Sequence, residues 1–161
     1  MQQKRLLTLS SCLLLATLMI SGCDTKNTAP QPDLFQYKNA YVGNSTAVGS
    51  ILNGLPVTGY SKDFELVTQQ RPYGIILNYD GSESPQQQPQ IVVYTATYLF
   101  ALIQNVDWIR YNFANRELTI TKEQMQQWYG EDLSRIQNED ELHTLIDKYI
   151  NDQDKIKQLI Q

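Results

Sequence analysis

Hydrophobic and polar residues alternate with a period of two in four short stretches of the chain, as they do in strands that bury one face. The stretches are residues 63–69, 73–79, 106–113 and 117–121. Pro72, which cannot donate to a strand ladder, lies between the first two, and Asn115, which tolerates the positive φ of a tight turn, lies between the last two. The pattern therefore predicts two β-hairpins.

Helical periodicity together with capping signals marks further segments. A short helix over residues 45–52 follows Asn44, a residue that favours helix N-termini. Thr121 opens a capping box whose helix stops at Gly130. Asn138 starts another amphipathic helix, and a last amphipathic segment follows it.

Residues 91–105 are the most apolar part of the chain after its leader, and their pattern is ambiguous. The first five are mostly β-branched and favour a strand, whereas other apolar positions recur at helical spacing: Val92, Ala96, Leu99, Phe100 and Ile103. A run of 15 residues exceeds an ordinary strand, and Pro89 suits the first turn of a helix. We therefore predict a helix here.

The order of these segments predicts an α+β domain. An antiparallel sheet of about four strands, built from two hairpins, would pack against helices. Residues 24–36 are polar, contain two prolines and show no periodicity, which is typical of a tether. The predicted organisation is a leader over 1–22, a tether over 23–36 and a single domain over 37–161.

The first 23 residues have the layout of an export signal. Lys4 and Arg5 precede an uncharged apolar run over residues 6–20, which is shorter than the ~20 residues of a comfortable membrane span. Small residues then lead to Cys23, and this exit resembles the lipobox of bacterial lipoproteins, with isoleucine where leucine is usual. The resemblance implies a diacylglycerol on the Cys23 thiol and removal of residues 1–22.

Two other interpretations of the leader are open. A membrane-spanning helix would need a longer apolar run, and a plain cleaved signal would leave Cys23 trimmed away or as a lone thiol in an oxidising compartment. Lipidation explains the cysteine better, because its thiol would then be the acceptor of the lipid. Several acyl chains on one residue are enough for stable anchoring. We therefore expect the protein at the cell membrane, lipid-anchored on its extracytoplasmic face.

Charge and residue counts exclude several classes of function. The chain has 13 basic and 17 acidic residues, and Lys4 and Arg5 belong to the leader, so nucleic acid is not an expected partner. Loss of Cys12 with the leader and acylation of Cys23 would leave no disulfide. His143 is the only histidine, which excludes histidine–cysteine zinc sites and cysteine–histidine catalysis. We expect no cofactor and no metal.

Neighbouring carboxylates are the remaining candidates for catalysis. They occur at Asp63 and Glu65, at Glu131 and Asp132, and over residues 139–141. Each group has a simpler explanation: the exposed side of a strand, the segment after a helix stop, and the acid-favouring start of a helix. A carboxylate-dependent hydrolase acting at the cell envelope is therefore an alternative and not the expected function.

Arg71, Tyr73 and Tyr41 are the candidate binding residues. They combine a guanidinium and two aromatic rings with glycine and proline at predicted loop ends, where rigid scaffolds often present ligand contacts. Ordinary turn geometry is the competing explanation of the same residues. Trp108 and Trp128 are predicted to be core residues.

Three segments, residues 37–44, 71–75 and 99–106, resemble the family called domain of unknown function 4825. The family consists of small lipoproteins from Gram-positive bacteria, and its domain also occurs in the extracytoplasmic part of some sensor-type membrane metallopeptidases. The resemblance implies an envelope location and a role in sensing or regulation. It carries over no catalytic or binding residues.

Together these inferences predict a membrane-anchored lipoprotein with a non-enzymatic extracytoplasmic domain. We expect it to bind a membrane protein or another envelope component in a sensing or regulatory role. A purely structural lipoprotein is a further alternative to the hydrolase.

Overall fold

The computed structural model describes residues 33–57 and 61–160. The predicted leader over 1–22, Cys23 and the tether as far as residue 32 lie outside the described residues. Among the helices described, none combines the length and the apolar character needed to cross a membrane.

The described part of the chain contains five α-helices and four strands. The helices are α1 (Ser45–Gly54), α2 (Gln88–Leu102), α3 (Lys122–Tyr129), α4 (Glu139–Tyr149) and α5 (Gln153–Ile160). The strands are β1 (Asp63–Val67), β2 (Gly74–Asn78), β3 (Trp108–Phe113) and β4 (Arg116–Thr121). Short 3-10 helices occur at Leu34–Tyr37 and Leu133–Arg135.

The strands form one sheet in the order β1-β2-β3-β4. β1 pairs with β2 and β3 pairs with β4 in the antiparallel sense, so the α+β class and both predicted hairpins are confirmed. The sheet differs from the fully antiparallel prediction at its centre, where β2 and β3 are parallel. The helix α2, 15 residues long, carries the chain back along the sheet, so β3 starts at the same end as β2. Hairpin signals do not specify how one hairpin joins the next.

The helix ends follow the capping signals in the sequence. The Asn44 side chain accepts a hydrogen bond from the backbone N–H of Ala47 at 3.0 Å. Thr121 and Gln124 form the predicted capping box, with bonds of 3.1 and 2.8 Å, and Gly130 ends α3 in the left-handed region with φ 79°. These side chains satisfy backbone groups that a helix terminus leaves unpaired.

The ambiguous apolar run is a helix, as predicted, but it ends earlier than residue 105. Helix α2 is buried around nearly its whole circumference, which explains why its hydrophobic periodicity is weak. It ends at Leu102, and the next residue, Ile103, is extended and forms a parallel bridge with Ala40. The helix lies against the sheet face formed by the core residues Ile75, Leu77, Ile109, Tyr111 and Ile120.

The packed part of the chain begins before the predicted boundary at residue 37. Leu34 is 1% exposed and belongs to the hydrophobic core. Asp33 caps the 3-10 helix that carries it, accepting a bond from the N–H of Phe35 at 3.0 Å. Leu34 and Phe35 therefore belong to the domain and not to the tether.

Candidate functional site

Two of the three segments that resemble the family, residues 37–44 and 99–106, pack directly against each other. The carbonyl of Ala40 accepts a hydrogen bond from the N–H of Gln104 at 2.9 Å. The side chain of Asn105 accepts one from the N–H of Val42 at 2.7 Å. These bonds fix the loop between α2 and β3, so both segments have a structural role.

Lys38 fastens the start of the domain to the end of α2. Its ammonium group donates to the carbonyls of Ala101, at 2.8 Å, and Ser134, at 2.9 Å. Ala101 is in the last turn of α2, whose carbonyls lack helical partners. Burial lowers the pKa of Lys38, the nearby Lys122 lowers it further, and Asp132 opposes the shift.

The remaining segment, residues 71–75, is hydrogen-bonded to Asp107, the residue that precedes β3. The carboxylate of Asp107 accepts a hydrogen bond from the N–H of Tyr73 at 2.7 Å, and the carbonyl of Tyr73 accepts one from the N–H of Asp107 at 2.8 Å. The indole N–H of Trp108 donates to the carbonyl of Pro72 at 3.0 Å. The Arg71–Pro72 peptide bond is cis.

Two arginines lie over aromatic rings at this end of the sheet. The guanidinium of Arg71 is 5.0 Å from the ring centre of Tyr73, and that of Arg110 is 5.5 Å from the ring centre of Trp108. The side chain of Arg71 is 67% exposed and lies 3.9 Å from Asp107. The Trp108–Pro72 hydrogen bond joins the two arginine–aromatic pairs, and we call Arg71, Tyr73, Trp108 and Arg110 the arginine–aromatic surface.

The structure brings together two of the three predicted binding residues. Arg71 contacts Tyr73, whose ring is half-buried against the core. Tyr41 is 61% exposed, and within the described part of the chain no ion pair, ring contact or side-chain hydrogen bond joins it to either residue. A binding role for each of the three stays a prediction.

The prediction that Trp108 is a core residue is wrong, whereas Trp128 is buried as predicted. The neighbours Ile109 and Tyr111 face the core, so the alternation of a strand directs Trp108 and Arg110 to the opposite side of the sheet, which we call the open face. The polar residues Arg110 and Asn112 at the same parity were the available signal. The open face consists of Asp63, Glu65, Val67, Gly74, Ile76, Asn78, Trp108, Arg110, Asn112, Glu117, Thr119 and Thr121.

The open face carries its own network of contacts. Asn112 donates its amide N–H to the side chain of Asn78 at 2.7 Å, and Asn78 donates in turn to Asp63. Arg110 lies 3.5 Å from Glu117 across the β3–β4 pair. These cross-strand contacts hold Arg110 in place over the indole ring.

Gly74 is required for Trp108 to lie flat on the sheet. The two residues are directly opposite in the β2–β3 register, and a Cβ atom at Gly74 would collide with the indole ring. We expect Gly74→Ala to lower the free energy of unfolding by roughly 1–3 kcal/mol, because an extra carbon must displace the ring. Urea unfolding measures the change. Gly43→Ala is the matched control, since a Cβ there meets nothing within 4 Å, and equal stability of the two variants would contradict the assignment.

His143 belongs to a hydrogen-bonded cluster that the sequence did not predict. The Tyr98 hydroxyl lies 3.0 Å from the imidazole of His143 and donates to Glu139 at 3.0 Å. Tyr98 is fully buried, and burial followed by the charge of Glu139 raises its pKa above the usual value. The phenol therefore stays protonated, and the cluster fastens α4 to α2.

The carboxylates considered as catalytic candidates either make structural hydrogen bonds or are exposed to solvent. Asp132 caps a 3-10 helix by accepting from the N–H of Ser134 at 3.0 Å. Hydrogen bonding from the Ser134 side chain, followed by that from its backbone, lowers the pKa of Asp132. Glu141 accepts from the N–H of Gln137 at 2.9 Å.

An open cleft of about 550 Å³ beside α4 is lined by Glu131, Ile136, Asn138, Asp140, Glu141, Thr144, Leu145 and Lys148. Within residues 33–57 and 61–160, no three histidine, cysteine, aspartate or glutamate side chains are grouped to hold a metal ion.

The fold and the contacts among the three segments define a small α+β domain. The family model named Domain of unknown function (DUF4825) matches residues 34–126, which is more than half of the chain. The chain belongs to this family, and the resemblance in the sequence is confirmed. The match begins at the buried Leu34 and ends within α3, so α4 and α5 lie beyond it. No curated protein and no solved structure matches the chain.

Proposed function

We propose that this protein is a lipoprotein that is anchored through Cys23 to the extracytoplasmic face of the cell membrane. Its domain binds a membrane protein or another envelope component and does not catalyse a reaction. The anchoring is supported by the charged start, the short apolar run and the small-residue exit before Cys23. The envelope sensing role is motivated by the family resemblance.

The observation that carries the binding role is the arginine–aromatic surface. Arginine, tyrosine and tryptophan are the residues most enriched where protein interfaces concentrate their binding energy. Both guanidiniums already lie over rings. Binding a partner would therefore cost little additional side-chain entropy. Trp108 and Ile76 are hydrophobic residues of the open face that do not pack against the described core.

The placement of the acids supports binding over hydrolysis. A glycoside hydrolase needs two carboxyl groups held roughly 5–10 Å apart on either side of the substrate bond. Asp63 is hydrogen-bonded to Asn78 on the exposed sheet, and Asp132 caps a helical turn. Glu131, Asp140 and Glu141 line the cleft beside α4, but all three are exposed to solvent and none is buried as a paired acid. We therefore propose a non-enzymatic domain.

Crosslinking in intact cells tests the binding role. We expect one recurrent envelope protein to be crosslinked to the full chain and to be lost in the double variant Arg71→Glu, Arg110→Glu. The control Arg135→Glu reverses a charge on a side chain that is 86% exposed and outside this surface, and it should retain the partner. Thermal melting of each variant establishes that it is folded.

Recovery of the uncrosslinked protein alone, or an unchanged partner in the folded double variant, would refute binding through this surface. A partner lost only after Tyr41→Ala would move the site to the turn that precedes α1.

A further inference from the structure

We propose that β1 is a docking edge for an extended segment of a partner protein that carries lysine or arginine at alternate positions. The segment would add to the sheet as a fifth strand beside β1. This inference goes beyond the proposed binding surface, since neither Arg71 nor Trp108 belongs to β1.

The outer edge of β1 has backbone groups that are unpaired within residues 33–57 and 61–160. β1 is the terminal strand of the sheet, and its partner is β2. Apart from this pairing, residues 63–67 make no backbone hydrogen bond to any other described residue. The opposite edge is covered, because α5 packs against β4 and Arg116 reaches the carbonyl of Ile160 at 3.5 Å. Free N–H and C=O groups along a strand can pair with another extended chain.

The charge of this edge selects the partner. Glu65 and Asp63 both project from the exposed, open face of β1. Asp63 accepts a bond from Asn78, whereas Glu65 has no side-chain partner among the described residues. Oppositely charged residues directly across neighbouring strands stabilise their pairing. A strand with basic residues on its open face therefore complements β1.

A cleft beside β1 can take the alternate side chains of such a strand. Its volume is about 310 Å³, and it is lined by Gly49, Leu52 and Asn53 of α1 together with Ser61, Lys62, Asp63 and Phe64. The Phe64 ring lies 3.6 Å from where a Cβ of Gly49 would be. Because Lys62 is part of the lining, the cleft suits the apolar residues of the added strand and not its basic ones. Small apolar side chains between the basic ones would enter this cleft.

A second copy of the chain is disfavoured at the same edge when β1 pairs along its full length. In that antiparallel register Glu65 lies opposite Glu65, and a shift by two residues toward residue 63 places Asp63 opposite Glu65. Like charges directly opposite each other destabilise a strand pair. The acids therefore disfavour self-association through this edge while they favour a basic partner.

Peptide binding to the full-length chain in detergent micelles tests the inference. The probe is a seven-residue peptide of alternating lysine and valine, and the control peptide has glutamate in place of lysine. We expect the lysine peptide to slow amide hydrogen exchange at residues 62–67 and not in β4. Glu65→Lys should weaken its binding about tenfold, as loss of one attraction and gain of one repulsion imply.

Glu131→Lys is the matched control, because it makes the same charge change on an exposed residue away from β1, and it should leave binding unchanged. Equal binding of the glutamate peptide, or weakening of the same size in both variants, would overturn the selection by charge. Absence of slowed exchange in β1 with the lysine peptide would overturn the docking edge itself. None of these outcomes depends on the arginine–aromatic surface, so the two proposals fail separately.

Discussion

Between about pH 10 and about pH 12 the domain is expected to lose most of its stability, because four tyrosines are buried as neutral phenols. They are Tyr79, Tyr98, Tyr111 and Tyr129, each at most 8% exposed. Burial is the largest cause of the raised pKa in every case. The charge of Glu83 adds to it at Tyr79, and that of Glu139 adds to it at Tyr98.

The sign follows from the protons bound in each state. Above a pH of about 10 the unfolded chain releases its tyrosine protons, whereas the folded domain retains the buried ones. The folded state then binds more protons, so the free energy of unfolding falls as pH rises. Above the unfolded pKa each tyrosine lowers the free energy of unfolding by about 1.4 kcal/mol per pH unit, and the four together lower it by about 5.5 kcal/mol per pH unit. The total stability of a domain is about 5–15 kcal/mol, so one to two pH units remove most of it.

Two lysines act in the opposite direction at lower pH. Burial lowers the pKa of Lys38 and of Lys122. The folded state releases these protons first, so the free energy of unfolding rises slightly as pH approaches about 10.5. The loss caused by the tyrosines is therefore clearest above that pH.

Urea unfolding between about pH 8 and about pH 11.5, with tyrosinate absorbance as a second signal, measures the effect. Tyr111→Phe should remove about one proton from the pH dependence. It also removes a hydrogen bond of 3.3 Å to the carbonyl of Val92, at a net cost of roughly 0.5–1.5 kcal/mol. Tyr41→Phe removes an exposed hydroxyl and should change neither quantity. Stability that is independent of pH in this range would refute the burial of the phenols as neutral groups.

The sequence predicts most of this fold because local signals decide most of its elements. Alternation identified both hairpins, and the side chains of Asn44 and Thr121 cap the helices that they were predicted to start. The parallel centre of the sheet follows from a helix placed between two strands, which turns the chain back. That step depends on tertiary geometry and has no signature in the pattern of either hairpin.

The candidate surface is less predictable, because it depends on contacts between distant residues. Tyr73 and Asp107 are 34 positions apart, and they meet only because β2 and β3 are parallel neighbours. The turn signals point to Arg71 as a candidate, whereas Trp108 is predicted to be a core residue and lies on the open face. Aromatic residues occur on both alternating sides of β3. Only the polar residues Arg110 and Asn112 indicate which side faces solvent.

His143 illustrates the same limit for a single side chain. Its helical position is evident from the sequence, and the predicted helix is present. Its partner Tyr98 is 45 positions away, on the side of α2 that faces α4. Helix periodicity predicts neither the burial of Tyr98 nor its contact with His143, because the pairing depends on how two helices cross.

Cys23→Ala is expected to abolish acyl labelling of the protein and to release it from the membrane or prevent its normal processing. The expectation rests on the proposed lipoprotein signal, in which the Cys23 thiol is the acceptor of the lipid. Each buried methylene contributes about 0.8 kcal/mol to membrane binding, so two or more acyl chains hold a protein stably and their loss removes the anchor. Metabolic labelling with a fatty-acid analogue, followed by membrane fractionation, measures both effects.

Cys12→Ala is the control, because it makes the same chemical change inside the apolar run over residues 6–20 and leaves the proposed acceptor intact. It should retain labelling and the membrane location. Unchanged labelling of Cys23→Ala would refute the lipid anchor, and labelling lost in both variants would indicate failed export. If Cys23→Ala alone detaches the chain, the acidic domain has little affinity for anionic headgroups of its own, as its excess of carboxylates implies. The lipid then determines where the arginine–aromatic surface meets its partner.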